Sequence, residues 1–404
     1  METKLARIAE MAKRVPKARF TSLYHLLNVE LLRQAHEELD PKKATGVDGV
    51  TKEQYERNLE ENLLDLVGRL KRKAYRPQPA RRTYIPKDEK SKRPLGIQAH
   101  EDKIVQLALK KLLEAIYEQD FKSFSYGFRP KKSCHNALWE LDHILHRQPI
   151  NWVVDADIQG FFNHVNHEWM MKFLEVRIGD PNILRLIRRM LKAGIEEEGN
   201  LEPSEEGTAQ GSNLSPLLAN IYLHYVLDLW FEKRIQGHSR GKAYIIRYAD
   251  DFVRCFQYED EARSFYQALQ KRLAEFGLNI AEEKSSIIRF GKQAEEWHKQ
   301  NGGGKPGVFS FLGFTNYCGR SQKGKFQAKR KTSAKKYRSK IKDFKGWMKV
   351  HRHDKLEETV KTIRQKLRGH YQYYGMTHNF PSIAKFKQEI TKILFKWLNR
   401  RSQK

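Results

Sequence analysis

Two adjacent aspartates interrupt the apolar segment 245–253 (IIRYADDFV) of this 404-residue chain. Asp250 and Asp251 lie at its midpoint, where a tight turn between two strands would project both carboxylates from the end of a sheet. Burying two anions together is costly unless a cation neutralises them, and Mg²⁺ prefers oxygen ligands of this kind. An ordinary polar hairpin turn is the alternative, because such turns also favour aspartate.

A third aspartate lies in a second short apolar segment, 152–158 (WVVDADI), which we interpret as a buried strand. With Asp157, three carboxylates on two neighbouring strands could hold two metal ions roughly 4 Å apart, an arrangement that lowers the barrier to phosphoryl transfer. Asp155 lies two residues earlier, hence on the same face of the strand, so the sequence leaves a choice between the two residues.

The elements that would position these aspartates follow from periodicity and from the prolines. A strand, a turn and a second strand are predicted over 243–256. Four prolines exclude a helix over 75–97 and favour strands joined by a loop. Apolar spacing predicts helices over 52–73, 101–119, 180–193, 215–231 and 261–276. Further strands are expected over 278–290 and 308–314, and an exposed hairpin or loop over 196–206.

The charge balance narrows the class of partner. Lys and Arg total 76 against 49 Asp and Glu, a formal net charge of +27, and this excess predicts a polyanionic partner. No run of about 18 apolar residues suggests a membrane span, and the N-terminus lacks the apolar stretch of a signal peptide. The three cysteines are far apart, which argues against a disulfide framework. We therefore expect a cytoplasmic, nucleic-acid-associated protein with no membrane partner.

Much of the positive charge lies at the C-terminal end. Residues 331–404 contain 21 Lys and Arg against 5 Asp and Glu, so +16 of the total falls in this segment. Tyr337, Ile341, Phe344 and Met348 are spaced as one face of a helix. The segment is therefore predicted to be a folded basic region and not a loose charged arm.

Several motifs occur in the order found in reverse transcriptases. Tyr248-Ala249-Asp250-Asp251 resembles the Tyr-x-Asp-Asp box of that family. Segments 157–162 (DIQGFF), 207–216 (GTAQGSNLSP), 282–285 (EEKS) and 311–314 (FLGF) resemble its first palm motif, Gln-Gly motif, lysine motif and primer grip. Segments 85–97 (IPKDEKSKRPLGI), 125–130 (SYGFRP) and 368–375 (RGHYQYYG) resemble group II intron reverse transcriptases/maturases in particular, of the bacterial type that lacks an endonuclease.

This resemblance implies an α+β fold, the right-hand polymerase, with fingers, a palm containing a small antiparallel sheet, and a helical thumb. The expected division is an N-terminal extension at 1–40, reverse transcriptase fingers and palm at 41–325, and a thumb/maturase (X) domain at 326–404. The implied activity is RNA-directed DNA polymerisation. The implied partners are an RNA template, group II intron RNA among the candidates, a DNA primer and deoxynucleoside triphosphates.

The resemblance also implies roles for individual residues. Asp157, Asp250, Asp251 and the carbonyl of Ile158 would bind two Mg²⁺ ions, for which Mn²⁺ can substitute. Phe162 resembles the steric gate against a ribose 2′-hydroxyl, although a plain core phenylalanine is the alternative. The remaining nucleotide contacts would come from Lys87, Arg93, Gln210 and the backbone of Gln159, Gly160 and Phe161.

Two further roles have equally ordinary alternatives. Lys284 resembles the general acid that protonates pyrophosphate. Tyr371, Tyr373 and Tyr374 could stack on bases, but packing between helices is the interpretation we favour.

The sequence departs from the intron pattern at three positions. Ala209, Gln159 and Asn163 stand where proline, lysine and aspartate are usual, and none of these changes removes a metal ligand. Two alternatives to an intron enzyme stay open. One is a related polymerase recruited to host defence, CRISPR adaptation or repair, and the other is a non-catalytic RNA-binding maturase.

Overall fold

The computed structural model describes residues 2–86, 92–302 and 304–401, apart from the side chain of Glu2. Helices dominate the N-terminal third of the chain. Their bounds are α1 (Glu2–Arg14), α2 (Val29–Glu38), α3 (Lys52–Glu56), α4 (Leu59–Lys71), α5 (His100–Tyr117) and α6 (Cys134–Arg147). The helix predicted over 52–73 is therefore wrong as a single element. It breaks at Arg57 and Asn58, and Asn62 closes the break by donating a 2.9 Å hydrogen bond to the Tyr55 carbonyl.

The proline-rich stretch forms two antiparallel strands, as predicted. These are β1 (Ala80–Pro86) and β2 (Lys92–Ile97), with Thr83 opposite Leu95. The acidic stretch forms the predicted hairpin, β4 (Ile195–Glu197) and β5 (Asn200–Glu202), and β4 pairs in parallel with β1. The resulting four-stranded sheet has the order β2-β1-β4-β5.

A second, wholly antiparallel sheet has the order β6-β7-β3-β8. Its strands are β3 (Trp152–Ala156), β6 (Ala243–Tyr248), β7 (Asp251–Phe256) and β8 (Ser286–Arg289). Helices α7 (His167–Glu175), α8 (Pro181–Leu191) and α10 (Glu259–Ala274) contribute to the core against one face of it. This arrangement confirms the small antiparallel sheet with helices behind it that was expected for a palm.

The helix predicted over 215–231 is longer and less regular than expected. It begins as α9 (Ser215–Leu223), with Pro216 in its first turn, and continues through π-helical turns at His224–Asp228 and Phe231–Gln236. A π-helical turn inserts an extra residue and so changes which side chains face inward. Asp228 thereby becomes completely buried.

A third sheet and four helices complete the described fold. Helix α11 (Ala294–Gln300) precedes β9 (Phe309–Phe311), β10 (Phe314–Arg320) and β11 (Phe326–Thr332), which pair in the order β11-β10-β9. The basic segment then forms α12 (Ala334–His351), α13 (Leu356–Tyr374) and α14 (Phe380–Leu398) around a core of their own. The division expected at 325 falls in the turn between β10 and β11, and the helical unit begins at Ala334. In the part of the chain described, no helix has the length and apolarity needed to cross a membrane.

Candidate active site

The two adjacent aspartates occupy the turn between β6 and β7. Tyr248 pairs with Asp251 at the end of the ladder, which leaves Ala249 and Asp250 at the tip. Ala249 has a φ of 58°, in the left-handed region that a tight hairpin turn requires and that alanine rarely adopts. The Arg247 guanidinium donates a 3.0 Å hydrogen bond to the Ala249 carbonyl. This contact holds the turn in the conformation that presents Asp250.

Arg247 is itself completely buried and forms an ion pair with the equally buried Asp228 from the π-helical turn. Its Nε lies 2.8 Å from Asp228 Oδ1, and its Nη1 donates to Asn220 Oδ1 at 2.9 Å. The charge is thus neutralised and its donors are used, as burial requires. This network was not predicted from the sequence, although an arginine within an apolar strand and an aspartate within an apolar helix both indicate a buried ion pair.

The SYGFRP motif packs directly against the same turn. Tyr126 donates its backbone N–H to the Arg247 carbonyl at 2.8 Å, and the Asn220 side chain donates to the Gly127 carbonyl at 2.7 Å. A Cβ on Gly127 would lie 2.2 Å from the Ala249 nitrogen, a distance that no side chain can occupy. Glycine is therefore required here by the close approach of two backbones.

Asp157 follows β3, the strand that pairs with β7 through Ala156 and Phe252. It thus reaches the same end of the sheet as the β6–β7 turn. Its side chain is 47% exposed, and the Lys284 ammonium lies 3.8 Å from its carboxylate. Lys284 is itself 61% exposed, in a short turn after α10. The structure therefore places the three aspartates that the sequence singled out at the same end of the sheet, with the lysine beside Asp157.

The carboxylates act on one another electrostatically. Burial, and then the charge of Asp157, raise the pKa of Asp250, while Arg93 and Arg247 lower it. Burial raises the pKa of Asp251 to about 7, with repulsion from Asp155 as the next cause. A bound cation would relieve this repulsion, and the hard oxygen donors suit Mg²⁺. Among the described residues, however, no group of three or more acidic, histidine or cysteine side chains is close enough together to form a metal site.

Asp155 and Asp251 both face the β9–β10 hairpin. Burial raises the pKa of Asp155 to about 6, while a backbone hydrogen bond from Ser310 lowers it. The Leu312 backbone lowers the pKa of Asp251 in the same way. Asp155 therefore lies beneath the hairpin, and the more exposed Asp157 is the better placed of the two to meet a ligand from solvent.

Two of the residues predicted to contact the nucleotide line a cavity of 570 Å³ between the first sheet and α9. Phe162 and Gln210 line it together with Tyr84 and Pro94. The Gln210 carbonyl accepts a 2.7 Å hydrogen bond from the Gly96 backbone, which ties the Gln-Gly motif to β2. Phe162 is partly buried, with its ring centroid 5.3 Å from that of Phe161. Phe162 is thus a wall of the cavity, while Phe161 belongs to the core.

The structure reduces the number of backbone groups in residues 158–161 that could contact a metal ion or a triphosphate. Ile158 is buried and forms a β-bridge with Ile280. The Gln159 amide already donates to the Asn279 carbonyl at 2.9 Å, so it is not available to a triphosphate. Gly160, with a φ of 52°, turns the chain so that Phe161 enters the core. The triphosphate contact therefore remains a prediction for the amides of Gly160 and Phe161.

Two finger residues were also predicted to contact the nucleotide. Arg93 is exposed on β2. Its positive charge partly offsets the effect of burial on Asp250 by lowering the pKa of that carboxyl group. Lys87 lies outside the described residues.

Residues 85–316 match the reverse transcriptase (RNA-dependent DNA polymerase) family. The chain belongs to the reverse transcriptase family. The matched segment contains the β6–β7 turn, Asp157 and most of the residues that line the cavity beside Phe162. It ends within β10.

Similar proteins refine this assignment. The group II intron-encoded protein LtrA of Lactococcus lactis subsp. cremoris is 32% identical over 290 residues, which are 69% of this chain and 48% of that protein. Protein YkfC of Escherichia coli (strain K12) is 38% identical over 198 residues, 48% of this chain and 52% of that protein. The putative COX1/OXI3 intron 1 protein of Saccharomyces cerevisiae is 31% identical over 53% of this chain and 26% of its own length.

These similarities confirm the group II intron type of reverse transcriptase that the finger and thumb motifs predicted. The chain spans about half the length of the first two relatives described, 48% and 52%.

Proposed function

We propose that this protein is an RNA-directed DNA polymerase of the group II intron type that uses divalent metal ions. The observation that carries the proposal is the register of β3, β6 and β7, which brings Asp157 and the β6–β7 turn with Asp250 to the same end of the sheet. Two carboxylates at the same end of a sheet would attract a cation, and their oxygen atoms suit a hard divalent ion. Asp157 and Asp250 would be the principal ligands, with Asp251 and the Ile158 carbonyl completing the set. When bound, two Mg²⁺ ions would supply activation of the primer 3′-hydroxyl and stabilisation of the departing pyrophosphate.

The surrounding side chains would position the deoxynucleoside triphosphate. Arg93 would bind its phosphates, since a guanidinium presents paired donors to anionic oxygens. Gln210 would lie against the base pair that the incoming nucleotide forms with the template. The ring of Phe162 would occupy the space that a ribose 2′-hydroxyl needs. Lys284 would hold a proton near Asp157 and donate it to the pyrophosphate oxygen as the product leaves.

The basic C-terminal helices support a nucleic-acid partner beyond the template and primer. Residues 331–404 have a net charge of +16. Phosphate contacts made by such a surface do not depend on base sequence and suit a structured RNA. Because similar proteins are intron-encoded, we propose that this partner is intron RNA and that the bound protein assists its splicing.

Primer extension on an RNA template tests the proposed activity. We expect the unmodified chain to make complementary DNA in the presence of Mg²⁺, and Asp250→Ala to make none. Asp260→Ala is the matched control, because Asp260 lies on the surface at the start of α10, with its side chain 66% exposed. An Asp250→Ala variant with full activity would contradict the metal assignment, and an inactive unmodified chain would contradict the proposed function.

A further inference from the structure

The tip of the β9–β10 hairpin has a backbone conformation that its residues do not favour. Leu312 has a φ of 48° and Gly313 a φ of 79°, so both lie in the left-handed region. Glycine adopts this region freely, whereas leucine does so at a cost in free energy. Such a conformation persists where surrounding contacts hold it, and these contacts often belong to a functional site.

Two contacts hold Leu312, and they come from different parts of the molecule. The Tyr373 hydroxyl, on α13, donates a 2.9 Å hydrogen bond to the Leu312 carbonyl. The Leu312 backbone also faces the carboxylate of Asp251, in the β6–β7 turn (hereafter the catalytic turn). Leu312, Asp251 and Tyr373 line one cavity of 700 Å³, which also receives Lys336 from α12. A single residue of the hairpin therefore connects the catalytic turn to the basic helices.

The Tyr373 side chain is itself fixed. Its ring stacks on Phe314, with centroids 6.1 Å apart and planes 20° from parallel. Its carbonyl accepts a 2.8 Å hydrogen bond from the ring of His135, on α6. Tyr374 packs on the same phenylalanine, at 5.2 Å. Packing, the role favoured for these tyrosines, is thus observed for both. The Tyr374 hydroxyl lies beside Gly313, and the Tyr373 hydroxyl is the one that donates a hydrogen bond to Leu312.

We propose that Tyr373 is a positioning residue for nucleotide incorporation. Its hydroxyl fixes the Leu312 carbonyl, and Leu312 in turn fixes Asp251 and the part of the hairpin that faces a primer end. The position of the helical unit is thereby coupled to the geometry of the catalytic turn. This inference rests on the proposed polymerase function.

The substitution Tyr373→Phe removes the hydroxyl and leaves the ring on Phe314. Loss of one such hydrogen bond corresponds to a decrease in kcat of about two- to tenfold. The KM for the deoxynucleoside triphosphate should change less than twofold, because the nucleotide cavity beside Phe162 includes neither Leu312 nor Tyr373. Tyr337→Phe is the matched control, since it removes a buried thumb hydroxyl that has no hydrogen-bond partner in the described part of the chain.

Hydrogen exchange tests the contact independently of catalysis. In the unmodified chain the amides of residues 309–314 should be protected, and Tyr373→Phe should accelerate their exchange several-fold while Tyr337→Phe does not. Equal kcat and equal exchange for the two variants would overturn the proposal, as would a loss expressed only in the KM for the nucleotide. If the unmodified chain makes no DNA, the proposed polymerase function fails, and the hydrogen-exchange comparison alone decides whether Tyr373 holds Leu312. Failure of the polymerase proposal can therefore be distinguished from failure of the Tyr373 proposal.

Discussion

Replacing Asp228 by alanine removes the partner of an arginine that has no access to water. Arg247 and Asp228 are both completely buried, and the guanidinium makes two hydrogen bonds to this carboxylate, at 2.8 and 2.5 Å. Leaving a buried charge without its partner costs about 3–5 kcal/mol. Because a folded protein is stable by only about 5–15 kcal/mol, Asp228→Ala should lose a large part of its free energy of unfolding.

A double variant separates stability from activity. Arg247→Met combined with Asp228→Leu replaces the ion pair by apolar side chains of similar volume, an exchange that is often neutral for stability. We expect urea denaturation to show most of the lost stability restored. Primer extension should nevertheless stay low, because methionine cannot donate to the Ala249 carbonyl and the catalytic turn loses its support. A decrease of less than about 1 kcal/mol in the free energy of unfolding of Asp228→Ala would refute this reasoning. Full polymerase activity in the double variant would refute it as well.

Three further outcomes follow from the same structure. Phe162→Val should incorporate ribonucleotides in primer extension, and unchanged selectivity for deoxyribose would contradict the role of Phe162 as a steric gate. Gly127→Ala should abolish activity or folding, since its Cβ would meet the Ala249 nitrogen at 2.2 Å, whereas Gly346→Ala, with open space around it, should leave both unchanged. Burial lowers the pKa of His370 to about 4, so protonation favours the unfolded chain, and stability should be lost as pH falls from about 6.5 towards 4. Melting temperatures of the unmodified chain and of His370→Gln at pH 7 and pH 5 would show this, and an equal pH dependence in both would contradict it.

The aspartates were predictable because the information that places them is local. An apolar run broken by two acids specifies a strand, a turn and a strand over a few residues, and the structure has β6 and β7 at these positions. The short apolar run around Asp157 likewise predicted β3. The same local reasoning located the apolar face of α8, where Ile183, Leu186 and Ile187 are buried.

The contacts that hold the turn were not predictable, because each joins segments that are distant in sequence. Arg247 meets Asp228 only after the π-helical turns shift the register of that helix, and no periodicity rule specifies such a shift. The close packing of Gly127 on Ala249 and the contact of Tyr373 with Leu312 likewise depend on how helices, strands and loops pack together in the folded chain. Sequence patterns thus located the candidate ligands, whereas tertiary packing determines how they are held.

The measurement that most directly tests the proposed centre compares two neighbouring aspartates, Asp155 on β3 and Asp157 directly after it. Asp157 is half exposed beside Lys284, while Asp155 lies under the β9–β10 hairpin. In Mg²⁺-dependent primer extension on an RNA template, Asp157→Asn should make no complementary DNA. Asp155→Asn should retain activity, with a decrease of several-fold at most. Full activity in Asp157→Asn, or complete loss in Asp155→Asn alone, would contradict the assignment of Asp157 as the metal ligand that acts with Asp250.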